Sequence, residues 1–428
     1  MERRVYVENY GCAANRSDLE IMLAYLVDAG YRVRGAPEFA DVILVNTCGV
    51  KKQTEDKVLW RLRSLSRLNK PLIVAGCLPR INLPAIRRAA PDYSAVLDPY
   101  SVDKILVAVK KAELGEKNRE FFSEKPKIKP RLPKVRINKF VEIVQIAEGC
   151  TGSCAFCCTR FARGKLFSYP EEAIVDRVKG AVRGGVKEVW LTAQDTGAYG
   201  KDNGTNLAEL LEGVCEVEGR FFVRVGMMNP LHVQEILDRL IKVYRNEKVF
   251  KFLHLPLQSG DNEVLKLMNR FYSVENFKNI IHAFRKNIPR ITLATDVICG
   301  FPGEDEQAFE RSMELISEIK PDVLNISKFF PRPRTPADSM EQLPLWKIKE
   351  RSGRVTTLFR GICLERNRVW LNWDGEVIVD EKGKDDSWIG RNFAYKPIVI
   401  KSRDKLLGKF LRVKVKAAFP TYLLAEIN

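Results

Sequence analysis

VEIVQIAEGCTGSCAFC, residues 141–157, runs an apolar stretch straight into three cysteines, Cys150, Cys154 and Cys157. The Val- and Ile-rich residues 141–147 read as a strand. The C-x3-C-x2-C spacing that follows is short enough to wrap three thiolates around one inorganic centre. A [4Fe–4S] cluster normally takes four cysteines, one per iron. Three leave one iron open, and the amino and carboxylate groups of S-adenosylmethionine can chelate it. Electron transfer into the sulfonium then releases a 5′-deoxyadenosyl radical. The alternative is a zinc site that borrows Cys158, although such sites usually combine paired C-x2-C elements with histidines. Only three histidines are present, His232, His254 and His282, which argues against a histidine-based zinc enzyme. Cys158 adjoins Cys157, so its side chain is expected to point away. Cys215, Cys299 and Cys363 lie in apolar or helical surroundings and read as structural.

Downstream of residue 147, strand-like runs recur at 188–193, 221–227, 249–255, 291–298 and 322–329, with helical patterns such as 171–182, 274–285 and 306–320 between them. Six β/α units predict a partial barrel, two units short of full closure. An open doubly wound sheet is the alternative. Two Gly-containing stretches, WLTAQDTGAYG (190–200) and DVICGFPGE (296–304), fall at the carboxyl ends of the second and fifth strands, the edge where the cysteine loop lies. Glycines there let backbone approach a cofactor. Asp296 and Gly300 are therefore candidates for cofactor contact.

Upstream, residues 1–115 alternate short strands (5–9, 42–46, 72–75) with helical patterns (19–29, 55–68), which predicts a parallel α/β sheet. Ser17 or Asp18 is expected to cap the first helix, and Gly30 to follow it. Cys12 follows the strand VYVENY, Cys48 follows VILVNT, and Cys77 follows LIVAG. In a parallel sheet all carboxyl ends share one edge, so these thiols would converge on a shared site. Three separate buried cysteines are the simpler reading, but the repeated placement favours convergence. Residues 116–139 are rich in Lys, Arg and Pro without periodicity and read as a basic linker. The block 140–360 is then the central domain. Residues 364–428 carry short β runs at 376–380, 398–400, 410–416 and 422–427, punctuated by glycines, and fit a small β-barrel.

The 428 residues hold 71 Lys and Arg against 54 Asp and Glu, a formal charge of +17. A chain this basic usually meets a polyanion, most often nucleic acid. No apolar run approaches the ~18 residues that span a bilayer, and the opening residues lack a signal-peptide core. The expectation is a cytoplasmic protein, where ten cysteines serve better as metal ligands or catalytic thiols than as disulfides.

Taken together, the motifs resemble those of the radical-SAM methylthiotransferases, in the same three-block order and over nearly the whole chain. Cys12 in YGCAANRSDLE, Cys48 in NTCGV and Cys77 in AGCLPR match the family's N-terminal cysteines, and Cys150, Cys154 and Cys157 match its radical-SAM triad. HLPLQSGDNEVLKLMNRFY (254–272), TDVICGFPGE (295–304) and KFFPRPRTPA (328–337) also match, and the C-terminal block is similar to a TRAM domain. The resemblance implies two [4Fe–4S] clusters and two S-adenosylmethionine molecules per turnover, one as methyl donor and one as radical source. The Gly-Gly-Glu run that meets the amino group of the cofactor stands here as Ala193-Gln194-Asp195, which makes Gln194 and Asp195 candidates for that contact.

RVGMMNP (224–230), LTAQDTGAYG (191–200) and CCTRFARGKLFSYP (157–170) resemble the archaeal and eukaryotic branch acting on N6-threonylcarbamoyladenosine at position 37 of tRNA. That implies a tRNA anticodon loop as partner, together with an electron donor and a sulfur source, for an enzyme expected to be a monomer. The modified base carries a carboxylate, so Arg224, Arg332 and Arg334 are candidates to face it. Methylthiolation of N6-isopentenyladenosine, or of a ribosomal-protein aspartate, is the alternative within the family. A non-catalytic RNA-binding iron–sulfur protein is the alternative outside it, although a structural cluster would favour four protein ligands.

Overall fold

A computed structural model describes residues 3–428. Its N-terminal part comprises β1 (Arg3–Asn9), α1 (Ala13–Asp28), β2 (Tyr31–Arg34), β3 (Val42–Thr47), α2 (Lys52–Ser66), β4 (Leu72–Gly76), α3 (Leu78–Ala89), β5 (Ala95–Leu97), α4 (Ile105–Glu113) and β6 (Arg119–Phe121). The six strands form one parallel sheet in the order β2-β1-β3-β4-β5-β6. β3 and β4 are buried along their whole lengths, as strands covered by helices on both faces must be. Register brings the strand ends level: Asn9 pairs with Asn46, and Thr47 with Gly76.

The central part comprises β7 (Val141–Gln145), β8 (Ala147–Glu148), α5 (Thr159–Arg163), β9 (Phe167–Ser168), α6 (Glu171–Arg183), β10 (Glu188–Thr192), α7 (Leu207–Glu216), β11 (Phe222–Val225), α8 (Pro230–Glu235), α9 (Leu237–Tyr244), β12 (Phe252–His254), α10 (Asn262–Leu267), α11 (Val274–Asn287), β13 (Thr292–Cys299), α12 (Glu306–Ile319), β14 (Val323–Lys328) and α13 (Leu345–Arg368). β11-β10-β7 and β12-β13-β14 are two parallel sheets, joined where Val223 bridges to Val249. Strand order follows chain order without reversal, which is the winding of a partial barrel; a doubly wound sheet reverses at a switch point. The open edge of β7 is covered rather than left bare: Ser17 Oγ in α1 donates to the Ile143 carbonyl at 3.2 Å, and Lys134 Nζ donates to the same oxygen.

The C-terminal part closes a five-stranded barrel from β15 (Asp374–Lys382), β16 (Ser387–Arg391), β17 (Pro397–Lys401), β18 (Phe410–Ala418) and β19 (Leu423–Ile427), in the order β15-β16-β17-β19-β18. It packs against the amino ends of the central strands. Tyr395 enters between Phe250 and Phe252, at centroid distances of 4.8 and 5.2 Å. Lys396 Nζ reaches Asp322, just before β14, at 2.8 Å.

The architecture matches the expected α/β, partial-barrel and small-barrel series, with three local corrections. First, α1 begins at Ala13, so Cys12 and not Ser17 or Asp18 stands at its cap. Ser17 and Asp18 lie inside the helix and are buried, because their polar atoms are spent on the central part. Second, the segment read as a linker is built into the fold. It adds β6 to the sheet, and Lys129 is buried with its ammonium paired to Asp18 and Glu148. Third, α13 runs unbroken through residues 360–364. The short strands β2, β5, β6 and β16 carry too few residues for a period to show.

Candidate functional site

The cysteine loop after β7 is fixed from three sides. Gly149 adopts φ +72°, and a Cβ there would meet the Lys165 carbonyl at 2.0 Å, so only glycine fits. Its N–H donates to Gln194 Oε1 at 2.7 Å. The segment before α11 holds the other flank: Asn269 Nδ2 donates to the Ser153 carbonyl at 2.9 Å, and the Ala155 N–H donates to the Met268 carbonyl at 2.9 Å. Arg270 Nη1 points at Cys154 Sγ, 3.3 Å away, while its Nη2 donates to Asn229 Oδ1 at 3.2 Å. Burial pushes the Cys150 thiol up to about 12, with the Asp195 carboxylate adding to the effect, and burial raises Cys157 as well. Thiols in such a site ionise only on a cationic centre.

Cys158 turns away, as expected. It is buried, and its Sγ lies 3.5 Å from the Gly49 carbonyl of the N-terminal part. Around one zinc, thiolates would stand within about 4 Å of each other. No three His, Cys, Asp or Glu side chains among the described residues close on a single metal ion in this way. A multi-iron cluster, which spreads its thiolates over different irons, fits the three half-buried thiols and the guanidinium beside one of them.

Cys12, Cys48 and Cys77 meet at the carboxyl edge of β1, β3 and β4. Asn15 in α1 sits among them: Cys12 Sγ is 3.4 Å from its Oδ1, Cys77 Sγ is 3.9 Å from its Nδ2, and that Nδ2 donates to the Thr47 carbonyl at 3.1 Å. Gly76, at φ +98°, clears the Thr47 carbonyl, which a Cβ would meet at 2.3 Å. Burial drives Cys48 up to about 12, with Cys77 and Cys12 close enough to add to the shift. Cys77 is also raised by burial, which the Arg163 guanidinium partly offsets.

The two cysteine groups face each other because the two parts are locked together. Asp18 of α1 accepts from Arg163 Nη2 at 2.7 Å and from Gln145 Nε2 at 2.8 Å. Arg163 Nη1 reaches Glu148 at 3.1 Å, and Lys129 bridges the same two carboxylates. The group is buried and formally neutral. On the other flank Arg332 pairs with Glu55 and donates to the Gly49 carbonyl at 2.6 Å. Arg334 donates to the Arg80 carbonyl at 2.7 Å and lies 4.5 Å from the Phe161 ring centroid. Between the parts lies a cavity of about 290 Å³, lined among others by Lys51, Lys52, Phe156, Cys157, Gln258, Asp296, Lys328, Phe330 and Arg332.

The remaining expected residues divide. Asp195 stands beside the cysteine loop. Its Oδ1 accepts from the Gly197 and Asn229 N–H groups at 3.0 Å, while its buried Oδ2 has no hydrogen-bond partner and lies 3.7 Å from His232 Nε2. Burial raises its carboxyl above the usual range. An orphaned acceptor there suits the ammonium of an amino-acid cofactor. Gln194 instead pins Gly149. Asp296 lines the cavity and is held by His254 Nε2 at 2.8 Å and Asn325 Nδ2 at 2.7 Å, which keep it ionised below the usual range despite burial. Gly300 lies under α13, where a Cβ would strike Ile348 at 2.5 Å, so packing explains it. Arg224 is stacked among Trp190, Phe252 and Tyr395 at 5.1–5.2 Å, lower in the barrel than the cysteine loop.

Sequence reasoning missed Asn269 and Arg270, the supports of the triad, although both lie in the quoted run 254–272. It also missed Gln258, which lines the cavity at φ +70°. A strained non-glycine backbone can be found only in coordinates.

Residues 144–316 match the radical SAM superfamily, residues 4–98 an uncharacterized protein family, UPF0004, and residues 375–427 the TRAM domain. A Pyrococcus horikoshii protein described as a probable threonylcarbamoyladenosine tRNA methylthiotransferase is 46% identical over 426 residues, 99% of each chain. A Homo sapiens protein described as threonylcarbamoyladenosine tRNA methylthiotransferase is 34% identical, covering 96% of this chain and 72% of its own length. Among solved structures, the radical S-adenosylmethionine methyltransferase TsrM from Kitasatospora setae shares the fold, at a TM-score of 0.58 and 12% identity over 78% of this chain and 75% of that one.

Proposed function

The chain belongs to the threonylcarbamoyladenosine tRNA methylthiotransferase family, and on that premise we propose that its two cysteine triads hold two [4Fe–4S] clusters that act on one base from opposite sides. It is a radical-SAM enzyme that converts N6-threonylcarbamoyladenosine in tRNA to the 2-methylthio derivative. S-adenosylmethionine and a [4Fe–4S] cluster are the cofactors of its superfamily. The observation that carries the two-cluster reading is the juxtaposition of the triads: Cys158, next to Cys157, touches Gly49, next to Cys48.

Position 2 of the adenine is an unactivated aromatic C–H, so neither a base nor an ordinary nucleophile replaces its hydrogen. When bound, the cluster at Cys150, Cys154 and Cys157 together with S-adenosylmethionine supplies a carbon radical for that step. The chain's own residues do the rest. Arg270 and Asn269 hold the cysteine loop in place. Asp195 offers its free oxygen to the cofactor's ammonium. Asp296, oriented by His254 and Asn325, presents a carboxylate to the cavity, where a ribose hydroxyl can donate to it. Cys12, Cys48 and Cys77, spaced by Asn15, hold the sulfur-bearing centre. Arg332 and Glu55 close the flank of the cavity against water.

The units 1–115, 140–360 and 364–428 are read as sulfur-donating, radical-generating and RNA-binding parts, with 116–139 as a strap between the first two. No helix among the described residues is long and apolar enough to cross a membrane. The setting is the cytoplasm, the chain acts as a monomer, and the electron donor and the sulfur source are separate partners. The test is mass analysis of nucleosides after the anaerobically reconstituted enzyme has met tRNA bearing threonylcarbamoyladenosine. The expected product is the 2-methylthio nucleoside. Product from isopentenyladenosine tRNA alone would overturn the substrate.

A further inference from the structure

The threonylcarbamoyl group ends in a carboxylate, and a carboxylate leaving water needs a charge-assisted partner. The arginines in the matching motifs are engaged elsewhere: Arg332 with Glu55, Arg334 with backbone carbonyls of α3, and Arg224 among three aromatic rings. Four cations line the cavity between the triads, namely Lys51, Lys52, Lys328 and Arg332. Lys52 pairs with Asp56, and Arg332 with Glu55. Lys51 and Lys328 make no ion pair or side-chain hydrogen bond among the described residues. The acid on the cavity wall, Asp296, takes its hydrogen bonds from His254 and Asn325 and feels the Lys51 ammonium only through space. Beside these two ammonium groups, Gln258 lines the same cavity from a left-handed backbone, and its side-chain amide makes no hydrogen bond among the described residues.

We propose that Lys328 and Lys51 form the subsite for the substrate carboxylate, one from each side of the cavity, with the Gln258 amide facing the ureido group. The assignment rests on the family reading of the substrate. It places the recognition element across the junction: Lys328 ends β14, and Lys51 stands three residues after Cys48. A base whose N6 substituent lacks the charge would displace water from two ammonium groups without giving them a partner, so the site selects by desolvation cost as well as by attraction. An isopentenyl chain is disfavoured on that ground.

The test compares two tRNAs on the full-length reconstituted enzyme, one bearing threonylcarbamoyladenosine and one bearing its methyl ester. The native enzyme is expected to prefer the free acid by about 30-fold in kcat/KM, the range for a hydrogen bond to a charged group. Lys328→Met should lose most of that preference, K51M/K328M nearly all of it, and Lys328→Arg should restore part. Iron content and the visible spectrum of each variant report whether it folds and loads. A K51M/K328M enzyme that keeps the native preference for the acid overturns the subsite. So does a parallel fall in cofactor cleavage measured without tRNA, which would give the lysines to S-adenosylmethionine. No 2-methylthio product from either tRNA with the native enzyme would instead break the substrate reading beneath it.

Discussion

Cys150, Cys154 and Cys157 come from a single turn, whereas Cys12, Cys48 and Cys77 come from three loops that only the sheet brings together. The first group carries its own geometry: Gly149, Gln194, Asn269 and Arg270 brace one short loop. The second depends on the register of β1, β3 and β4, on Asn15, and on buried charges contributed by residues up to 163. A local site tolerates a loosened domain. A dispersed site fails with its scaffold.

The largest expected effect removes each triad in turn. Alanine at Cys150, Cys154 and Cys157 should cut the iron of the reconstituted protein from about eight to about four and abolish 5′-deoxyadenosine formation. Alanine at Cys12, Cys48 and Cys77 should remove the other four irons and stop methylthio transfer while cofactor cleavage continues. Retention of all eight irons in the second variant would show that the strand-end cysteines share no site.

Next in size is Lys129→Met. It strips one cation from the group with Asp18, Glu148 and Arg163, and leaving a buried charge uncompensated costs about 3–5 kcal/mol. Urea unfolding should show that loss, and the N-terminal cluster should be the first to lose iron. If the barrel cluster is the more labile one, the contrast between local and dispersed sites is wrong.

Arg270→Met should do less, about 1–3 kcal/mol for one hydrogen bond to a charged group. Its signature is selective: the electron paramagnetic resonance signal of the barrel cluster shifts while that of the N-terminal cluster stays put.

The last effect touches neither cluster and lies away from both triads. Glu188, at the foot of β10, is held up to about 8 by burial and by Asp380 of the C-terminal barrel. Its folded value lies above its ordinary one, so the folded chain keeps a proton that the unfolded chain releases. Stability from this group is therefore full below about pH 4.5, falls as pH rises, and levels off above about 8. Glu188→Gln should flatten that slope in thermal melts taken across the window without moving either cluster's spectrum.

The barrel triad was legible because its spacing is local, and the six barrel strands because each is long or apolar enough to show. The N-terminal triad was legible only through a rule about parallel sheets, and the fold had to supply Asn15 and Arg163. The charged segment 116–139 misled for a physical reason: Lys129 and Lys134 look like solvated charges unless their partners, Asp18, Glu20, Glu142 and Glu148, are known to be buried. The arginines of KFFPRPRTPA attracted attention as charges, and the structure spends them on holding the two parts together, while Lys328, which opens the same motif, and Lys51, just after NTCGV, drew none.

The buried ionic junction also bears on how such a protein can be inherited or rebuilt. Its N-terminal sheet looks like an exchangeable module, yet Asp18 inside α1 is paired with Lys129 and Arg163, and Glu20 draws on Lys134 as well as on its helix neighbour Arg16; Lys129, Lys134 and Arg163 all lie beyond residue 115. A chimera that swapped residues 1–115 alone would carry two buried acids into a foreign set of cations. The unit that can be transplanted extends through α5, so the strap and the first turn of the barrel travel with the sheet they neutralise.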